Sequence, residues 1–324
     1  MKQLTALCIG LILSACGGGG AMNGNMEGSG VSFERNTEFR GPWIRVFIEH
    51  EEGRELSVNS YDHVDMSVAE QSPVPNHEAR RWWLTKVDET EGTSYVTAFV
   101  SWDGDNPEDY IMAGWWAQFD NEQPPNLTYQ NLTEYAIIDG PEFDPEITPQ
   151  LSIPTEGTAQ YTGPAGGVYW YAPVATSDEG YFILDGWEAN VDMTVEFTSG
   201  TLKGCIGCTG DFTITDALIP ASMGEVEFDI TDYEMHLLTA RYDESGLVEN
   251  GIVEIRHPDL DLVSLPNSAW VSFFSHLPDV NDDPRLIGGF VQSDYNEKDG
   301  SEGGFFGSFA GLSDAFLATG KTDQ

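Results

Sequence analysis

The chain has 324 residues, of which 54 are acidic and 14 are basic, and its formal charge at pH 7 is -40. Hydrophobic side chains make up 40% and aromatic ones 12%, a composition that excludes a disordered acidic tail. DNA, RNA and anionic membranes are poor partners for so acidic a chain, because phosphate binding needs clustered Lys and Arg. The 35 Gly and 17 Pro favour an all-β protein with many tight turns.

The N-terminus has the pattern of a bacterial export signal. Lys2 precedes an apolar run over residues 4–13, which is too short for the ~20 residues that cross a bilayer. The run ends in Leu-Ser-Ala-Cys, which resembles the lipobox of bacterial lipoproteins. That resemblance implies a signal peptide over residues 1–15 and lipid attachment at Cys16. The alternative is an ordinary signal with an incidental cysteine.

The residues after Cys16 predict the location of the mature protein. Gly17 stands where an Asp would, by analogy, retain a lipoprotein in the inner membrane, so we expect an outer-membrane or cell-surface anchor. Residues 16–34 are rich in Gly and predict a flexible tether.

The rest of the chain is predicted to be strands that form a sandwich or a barrel. Alternating or β-rich runs recur between turn signals, and no long segment has a helical period. These runs cover residues 43–49, 95–102, 110–119, 167–171, 181–187, 191–197, 211–215, 225–231, 234–242, 252–256, 269–274, 286–291 and 304–310. A Pro-rich acidic stretch near residues 140–155 predicts a linker between an N-terminal domain over residues 35–145 and a second domain over residues 155–324.

Two tryptophan pairs are the candidate binding residues of the N-terminal domain. Neighbouring strand residues point to opposite faces, so at most one Trp of each pair enters a one-sided core. The other is exposed at a binding surface, or it is covered by another element such as the second domain. His50, His63 and His77 lie in the same domain and are candidates for an axial haem ligand, with ordinary surface histidines as the alternative. The tryptophans are Trp82, Trp83, Trp115 and Trp116.

Two Gly-rich motifs in the second domain point to a known family. The stretch GTAQYTGPAGGVYWY, residues 157–171, resembles the barrel-opening motif of the transferrin-binding protein B family. The stretch GGFVQSDYNEKDGSEGGFFGSFAG, residues 288–311, resembles its closing repeats. In the first motif, Gly163, Gly166 and Gly167 predict a tight hairpin turn. Tyr161, Tyr169 and Tyr171 have the same parity and are expected on one face.

The resemblance implies a fold and a function. It implies a small N-terminal β-rich handle domain followed by an eight-stranded antiparallel β-barrel, on a surface lipoprotein. Transferrin receptors have two such lobes and this chain has one, so the comparison is with single-lobe relatives that bind haem, haemoglobin or other host or environmental ligands. Handover of the ligand to an outer-membrane transporter is a further implication of the resemblance.

Cys205 and Cys208 form a CxxC pair among strand and turn signals. Such a pair is a structural disulfide, a redox site or half of a metal site. Export favours the disulfide, because thiols outside the cytosol are oxidised. A zinc site needs two more Cys or His ligands, and the nearest histidine, His236, is distant in the sequence and has no second Cys or His beside it, so no metal site is predicted.

No motif for catalysis is present in the sequence. The chain has no HExxH, GxSxG, SxxK or P-loop pattern, and its histidines do not follow metal-ligand spacing. We therefore expect a non-enzymatic protein with no required cofactor, haem being a possible ligand. The predicted role is capture of a solute or protein ligand for nutrient uptake, iron or haem above all. The alternative is an envelope structural or protein-interaction lipoprotein without a small-molecule ligand.

Overall fold

The structure is a computed structural model, and every segment that it describes with regular structure is a β-strand. The described residues are 31–35, 44–49, 55–60, 63–65, 77–88, 92–103, 106–120, 132–139, 153–172, 174, 183–217, 232–244, 246–275 and 284–313. These strands pair into three antiparallel sheets. The all-β prediction is therefore confirmed for this part of the chain.

Two sheets are formed by the strands that precede residue 140. The first has the order β1-β2-β3 and the second the order β4-β5-β6-β7-β8. Their strands are β1 Val31–Arg35, β2 Ile44–Glu49, β3 Glu55–Ser60, β4 His63–Asp65, β5 His77–Asp88, β6 Gly92–Asp103, β7 Asn106–Asp120 and β8 Leu132–Asp139. Most of the predicted linker over residues 140–155 lies outside the described residues.

The third sheet closes on itself as an eight-stranded antiparallel barrel, as the family resemblance implied. Its strands follow the order β9-β10-β11-β13-β14-β16-β17-β18, and β18 pairs back onto β9. Short strands β12 and β15 pair at its margin with β10 and β17. The bounds are β9 Thr158–Ala172, β10 Ile183–Glu196, β11 Thr201–Ile206, β12 Thr213–Ala217, β13 Glu234–Arg241, β14 Val248–Arg256, β15 Leu262–Ser264, β16 Ala269–Ser275, β17 Leu286–Glu297 and β18 Glu302–Ser313.

Alternation along the strands fills the barrel with large side chains. Tyr161, Tyr169 and Tyr171 of β9 are all buried in one cluster, which confirms that they share a face. Tyr161 donates its hydroxyl proton to the carbonyl oxygen of Pro284, and Tyr169 stacks on Phe305 with ring centroids 4.8 Å apart. Barrels of about eight strands have interiors of a size that side chains can fill. The cluster is accordingly a packed core.

The predicted hairpin turn at Gly163, Gly166 and Gly167 is wrong. All three glycines lie inside the single strand β9, and none has a positive φ. They are needed for close approach of the neighbouring chains instead. A Cβ atom on Gly163 would lie 2.7 Å from the Cα atom of Gly311, and one on Gly166 would overlap the ring of Phe99. The absence of a Cβ atom therefore lets other parts of the chain pack directly on this strand.

The predicted break between two strands within residues 181–197 is also wrong. The sequence predicted separate strands over residues 181–187 and 191–197, whereas the structure has one strand, Ile183–Glu196. This strand keeps continuous register with β9, and on its other edge it is shared between β11 and β12. The acidic and small residues between the two runs resemble a turn locally, but pairing on both edges keeps the backbone extended. The predicted strand over residues 225–231 lies outside the described residues.

The five-stranded sheet packs on the outside of the barrel. Phe99 and Ala113 of the sheet share a buried cluster with Phe290 and Leu312 of the barrel. Two hydrogen bonds join the layers: the Ser101 hydroxyl donates to the Ala310 carbonyl at 2.9 Å, and the Ser308 hydroxyl donates to the Ala113 carbonyl at 3.1 Å. As a result, β18 is buried along both of its faces except at its first residue.

Candidate functional site

The indole of Trp187 is fully buried in the core of the barrel. Its Nε1–H group lies 3.1 Å from the carbonyl oxygens of Val168 and Phe306, and its ring stacks on Phe212 with centroids 5.2 Å apart. The edge of Phe305 packs against Phe212 at 5.4 Å. The described side chains therefore close the interior at this level, and a ligand would have to bind at the barrel ends, at the loops or on the N-terminal sheets.

Three tyrosine hydroxyls form a buried chain toward the barrel end where β9 finishes. The Tyr295 hydroxyl lies 3.3 Å from that of Tyr169 and 3.1 Å from that of Tyr233. Burial raises the pKa of all three phenols, that of Tyr233 to about 12. The hydroxyls are therefore protonated and neutral at pH 7. This favours a structural role over acid–base chemistry.

The rim of this barrel end carries titratable groups. His257 contacts the ring of Tyr233 with centroids 4.8 Å apart. Glu297 lies near Asp299 and Tyr171, and burial followed by the charge of Asp299 raises the pKa of Glu297. These side chains surround the tyrosines without forming a nucleophile–base pair. The arrangement offers polar contacts to a ligand but no evident reaction.

The opposite barrel end has an open depression with a volume of about 670 Å³. It lies beside the turn from β10 to β11 and the end of β13. Tyr242 at its wall packs edge-on against Phe274, with ring centroids 5.6 Å apart. Its lining combines apolar, aromatic and acidic side chains: Ile153, Pro154, Phe197, Tyr242, Asp243 and Glu244. This surface suits a ligand with an apolar part and a positive charge.

Register places the candidate tryptophans within the five-stranded sheet. Trp83 of β5 is aligned with Thr97 of β6, and Thr97 is aligned with Trp115 of β7. By strand alternation these positions belong to the same face of the sheet as Phe99, which packs on the barrel. Trp82 and Trp116 occupy positions of the other parity.

The register of the strands places the candidate histidines His63 and His77 opposite different kinds of residue. His63 of β4 is aligned with Trp82 of β5, whereas His77 is aligned with Asp103. His50 lies outside the described residues, as do the predicted signal peptide, the predicted lipid-attachment residue Cys16 and most of the predicted tether. His63 is thus the histidine whose backbone the described strands place next to a candidate tryptophan.

Sequence reasoning missed a neighbour of the CxxC pair. The sulfur atoms of Cys205 and Cys208 lie at disulfide distance, as predicted. His236, which the sequence places far away, is aligned with Cys205 by the pairing of β11 with β13. Its Nε2 atom lies 3.9 Å from the Cys208 sulfur atom and 2.8 Å from a carboxylate oxygen of Glu234. Neither motif spacing nor composition could reveal this, because strand register brings the groups together.

Comparison with protein-family models and with curated proteins found no match for this chain. Among the described residues, no helix combines the length and apolar character that crossing a membrane requires. The fold and the arrangement of its side chains are therefore the basis for a functional conclusion.

Proposed function

We propose that this chain is a lipid-anchored bacterial surface protein that captures a ligand without chemical change, in the manner of single-lobe relatives of transferrin-binding protein B. The observation that carries the proposal is the closed barrel with a packed interior, joined on its outer face to a separate β-sheet. Such a barrel acts as a rigid support, and binding falls to the surfaces and loops around it.

The ligand that we propose is haem or another iron-containing nutrient. Haem binding needs an axial ligand, usually His, and an apolar surface beside it. The alignment of His63 with Trp82 supports this position over that of His77, which is aligned with an acidic residue. Aromatic side chains in central positions dominate the energetics of many interfaces, which supports the tryptophans as anchors. Handover to an outer-membrane transporter completes the proposal.

The test is a haem titration of the full-length protein, followed by Soret absorbance. We expect a saturable band shift at one haem per chain, lost in His63→Ala and retained in the matched control His77→Ala. A shift that persists in His63→Ala would move the haem ligand to another residue, with His50 next. A flat response would exclude haem and favour the envelope interaction role, in which the partner is another protein.

Lipid attachment is tested separately. Cells that express the protein are fed radiolabelled palmitate, and the label is expected in the native chain but absent from Cys16→Ser. Protease treatment of intact cells then reports whether the chain faces the exterior. Label in Cys16→Ser would refute attachment at this residue.

A further inference from the structure

The barrel end that holds the CxxC pair brings together more potential metal ligands than the two cysteines. Cys205 lies near the end of β11, and a turn through Gly207, with φ of 82°, returns the chain so that Cys208 sits beside it. The pairing of β11 with β13 adds His236. One ligand atom from each of Cys205, Cys208 and His236 lies within 4.8 Å of the other two.

A fourth group stands next to the histidine. Glu234 is two residues before His236 in β13, and its Oε2 atom lies 2.8 Å from the His236 Nε2 atom. Glu254 of β14, which is aligned with His236, is engaged at 2.8 Å by the guanidinium of Arg256. Glu234 is therefore the carboxylate that is best placed to share a cation with His236.

Three potential ligand atoms, from Cys205, Cys208 and His236, lie within 4.8 Å of one another, and a tetrahedral set requires Glu234 to turn toward the cysteines and the two sulfur atoms to separate on reduction. Zn–S and Zn–N bonds of about 2.3 and 2.0 Å put tetrahedral S and N ligands about 3.5 Å apart, and put N and O ligands about 3.3 Å apart. The observed separations are 3.9 Å for Cys208–His236 and 2.8 Å for His236–Glu234. Each differs from the ideal by about half an ångström, a shift that rotation of the partly exposed side chains can supply.

We propose that the reduced form of this chain binds Zn²⁺ through Cys205, Cys208 and His236, with Glu234 as the fourth ligand, and that the disulfide form does not. Thiolates and imidazole are preferred zinc ligands, whereas a disulfide sulfur carries no negative charge to bind a metal. The site is open to solvent, since Cys208 is exposed and the other two residues are half-buried. The large negative charge of the chain further favours a cation.

The two states interconvert by thiol–disulfide exchange. A dithiol reductant transfers two electrons and two protons to the Cys205–Cys208 bond and becomes a disulfide itself. Binding of Zn²⁺ then displaces the two thiol protons into solvent. The His236 ring binds through Nε2 as the neutral tautomer that is protonated at Nδ1. Oxidation of the pair by a disulfide oxidant releases the zinc ion.

The experiment uses the full-length chain with Cys8→Ser and Cys16→Ser, in which Cys205 and Cys208 are the remaining cysteines. The pair is reduced with a water-soluble phosphine, which becomes its oxide, and the phosphine is removed under nitrogen. Zn²⁺ is titrated against a chromophoric chelator, and Co²⁺ serves as the spectroscopic probe. We expect one metal per chain, tetrahedral cobalt bands in the visible and thiolate-to-cobalt charge transfer, all absent from the oxidised chain.

Matched variants separate ligands from neighbours. His236→Ala is expected to weaken zinc affinity by at least about tenfold. Mutation of a residue that only hydrogen-bonds to a metal ligand already lowers metal affinity about 10–100-fold, and His236 is proposed as a ligand itself. Glu234→Gln should weaken it and change the cobalt spectrum. His257→Ala and Glu254→Gln, at the same barrel end, should leave it unchanged. The oxidised form of each variant must unfold at the urea concentration of its parent, which shows that its fold is intact.

The proposal is overturned by any of three results: no metal bound by the reduced chain, equal affinity in the oxidised chain, or equal affinity in His236→Ala. If Glu234→Gln changes neither the zinc affinity nor the cobalt spectrum, Glu234 is not a ligand of the metal. None of these readouts depends on haem or on lipid attachment. Failure of the proposed capture function would therefore leave this test unaffected.

Discussion

Gly167 is the position where the close approach of strands in the barrel can be tested most directly. It lies in β9, aligned with Trp187 of β10 on one side and with Gly307 of β18 on the other. A Cβ atom there would overlap the carbonyl oxygen of Phe306 and lie 2.5 Å from the Cα atom of Gly307. Both obstacles are backbone atoms of a strand that is hydrogen-bonded on both edges, so neither can rotate away.

We expect Gly167→Ala to destabilise the protein by about 3 kcal/mol, the upper part of the usual range for overpacking. Gly210→Ala is the first control. Gly210 has φ of 74° and nothing within 4 Å of an added Cβ atom. Gly210→Ala should therefore destabilise the protein only by the cost of holding an alanine in the left-handed conformation, about 1–2 kcal/mol. In Gly311→Ala the nearest atom is the Thr162 carbonyl oxygen at 3.2 Å, and we expect a cost of about 1 kcal/mol.

The assay is urea unfolding of the full-length protein, followed by tryptophan fluorescence. Each variant should shift the midpoint without changing the slope, because the surface exposed on unfolding stays the same. The order of the midpoints is the result that matters. If Gly167→Ala unfolds at a urea concentration no lower than Gly210→Ala, the close contact of β9 with β18 is not as described.

Three other predictions concern buried polar groups. Trp187→Phe removes the indole donor to Val168 and Phe306 and should cost about 2 kcal/mol in urea unfolding, whereas an unchanged midpoint would mean that those bonds contribute nothing. Burial raises the pKa of Asp294, so the folded chain keeps the Asp294 carboxyl protonated to a higher pH than the unfolded chain does. The contribution of Asp294 to the free energy of unfolding therefore falls as pH rises from the ordinary carboxyl pKa to the raised pKa of the folded state. Urea midpoints of the native protein and Asp294→Asn, measured across pH, should therefore diverge, and parallel curves would contradict the assignment. The Tyr233 hydroxyl, with a pKa of about 12, should not ionise with the exposed tyrosines in an alkaline absorbance titration, and Tyr233→Phe should leave the early phase unchanged.

The strands and their inward faces were predictable because they depend on local alternation. Tyr161, Tyr169 and Tyr171 share a face by parity alone, whatever their partners are. The glycines between them were misread, because the same residue type signals both a tight turn and a close approach of two strands. Only the partner strand distinguishes these cases, and here it comes from the far end of the sequence.

The neighbour of the CxxC pair was unpredictable for a related reason. His236 reaches Cys205 through the register of β11 with β13, and that register includes a shift between Leu202 and Gly204. A displacement of one residue would send the imidazole to the other face of the sheet. Trp115 and Trp116 lie in a strand that overlaps a predicted run, whereas the strand that holds Trp82 and Trp83 was not among the predicted runs. The alignment of His63 with Trp82 again depends on pairing between strands.

Closure of the barrel by its first and last strands has a consequence for the order of folding. Tyr161 of β9 pairs with Ser313 of β18, so 313 − 161 = 152 residues separate partners that must meet. Contacts so distant in the chain form slowly, because loop-closure entropy is lost before they contribute any stability. Until β18 is available, β9 presents an unpaired edge that can join the edge of another molecule. During synthesis the chain therefore depends on protection of that edge until β18 has emerged.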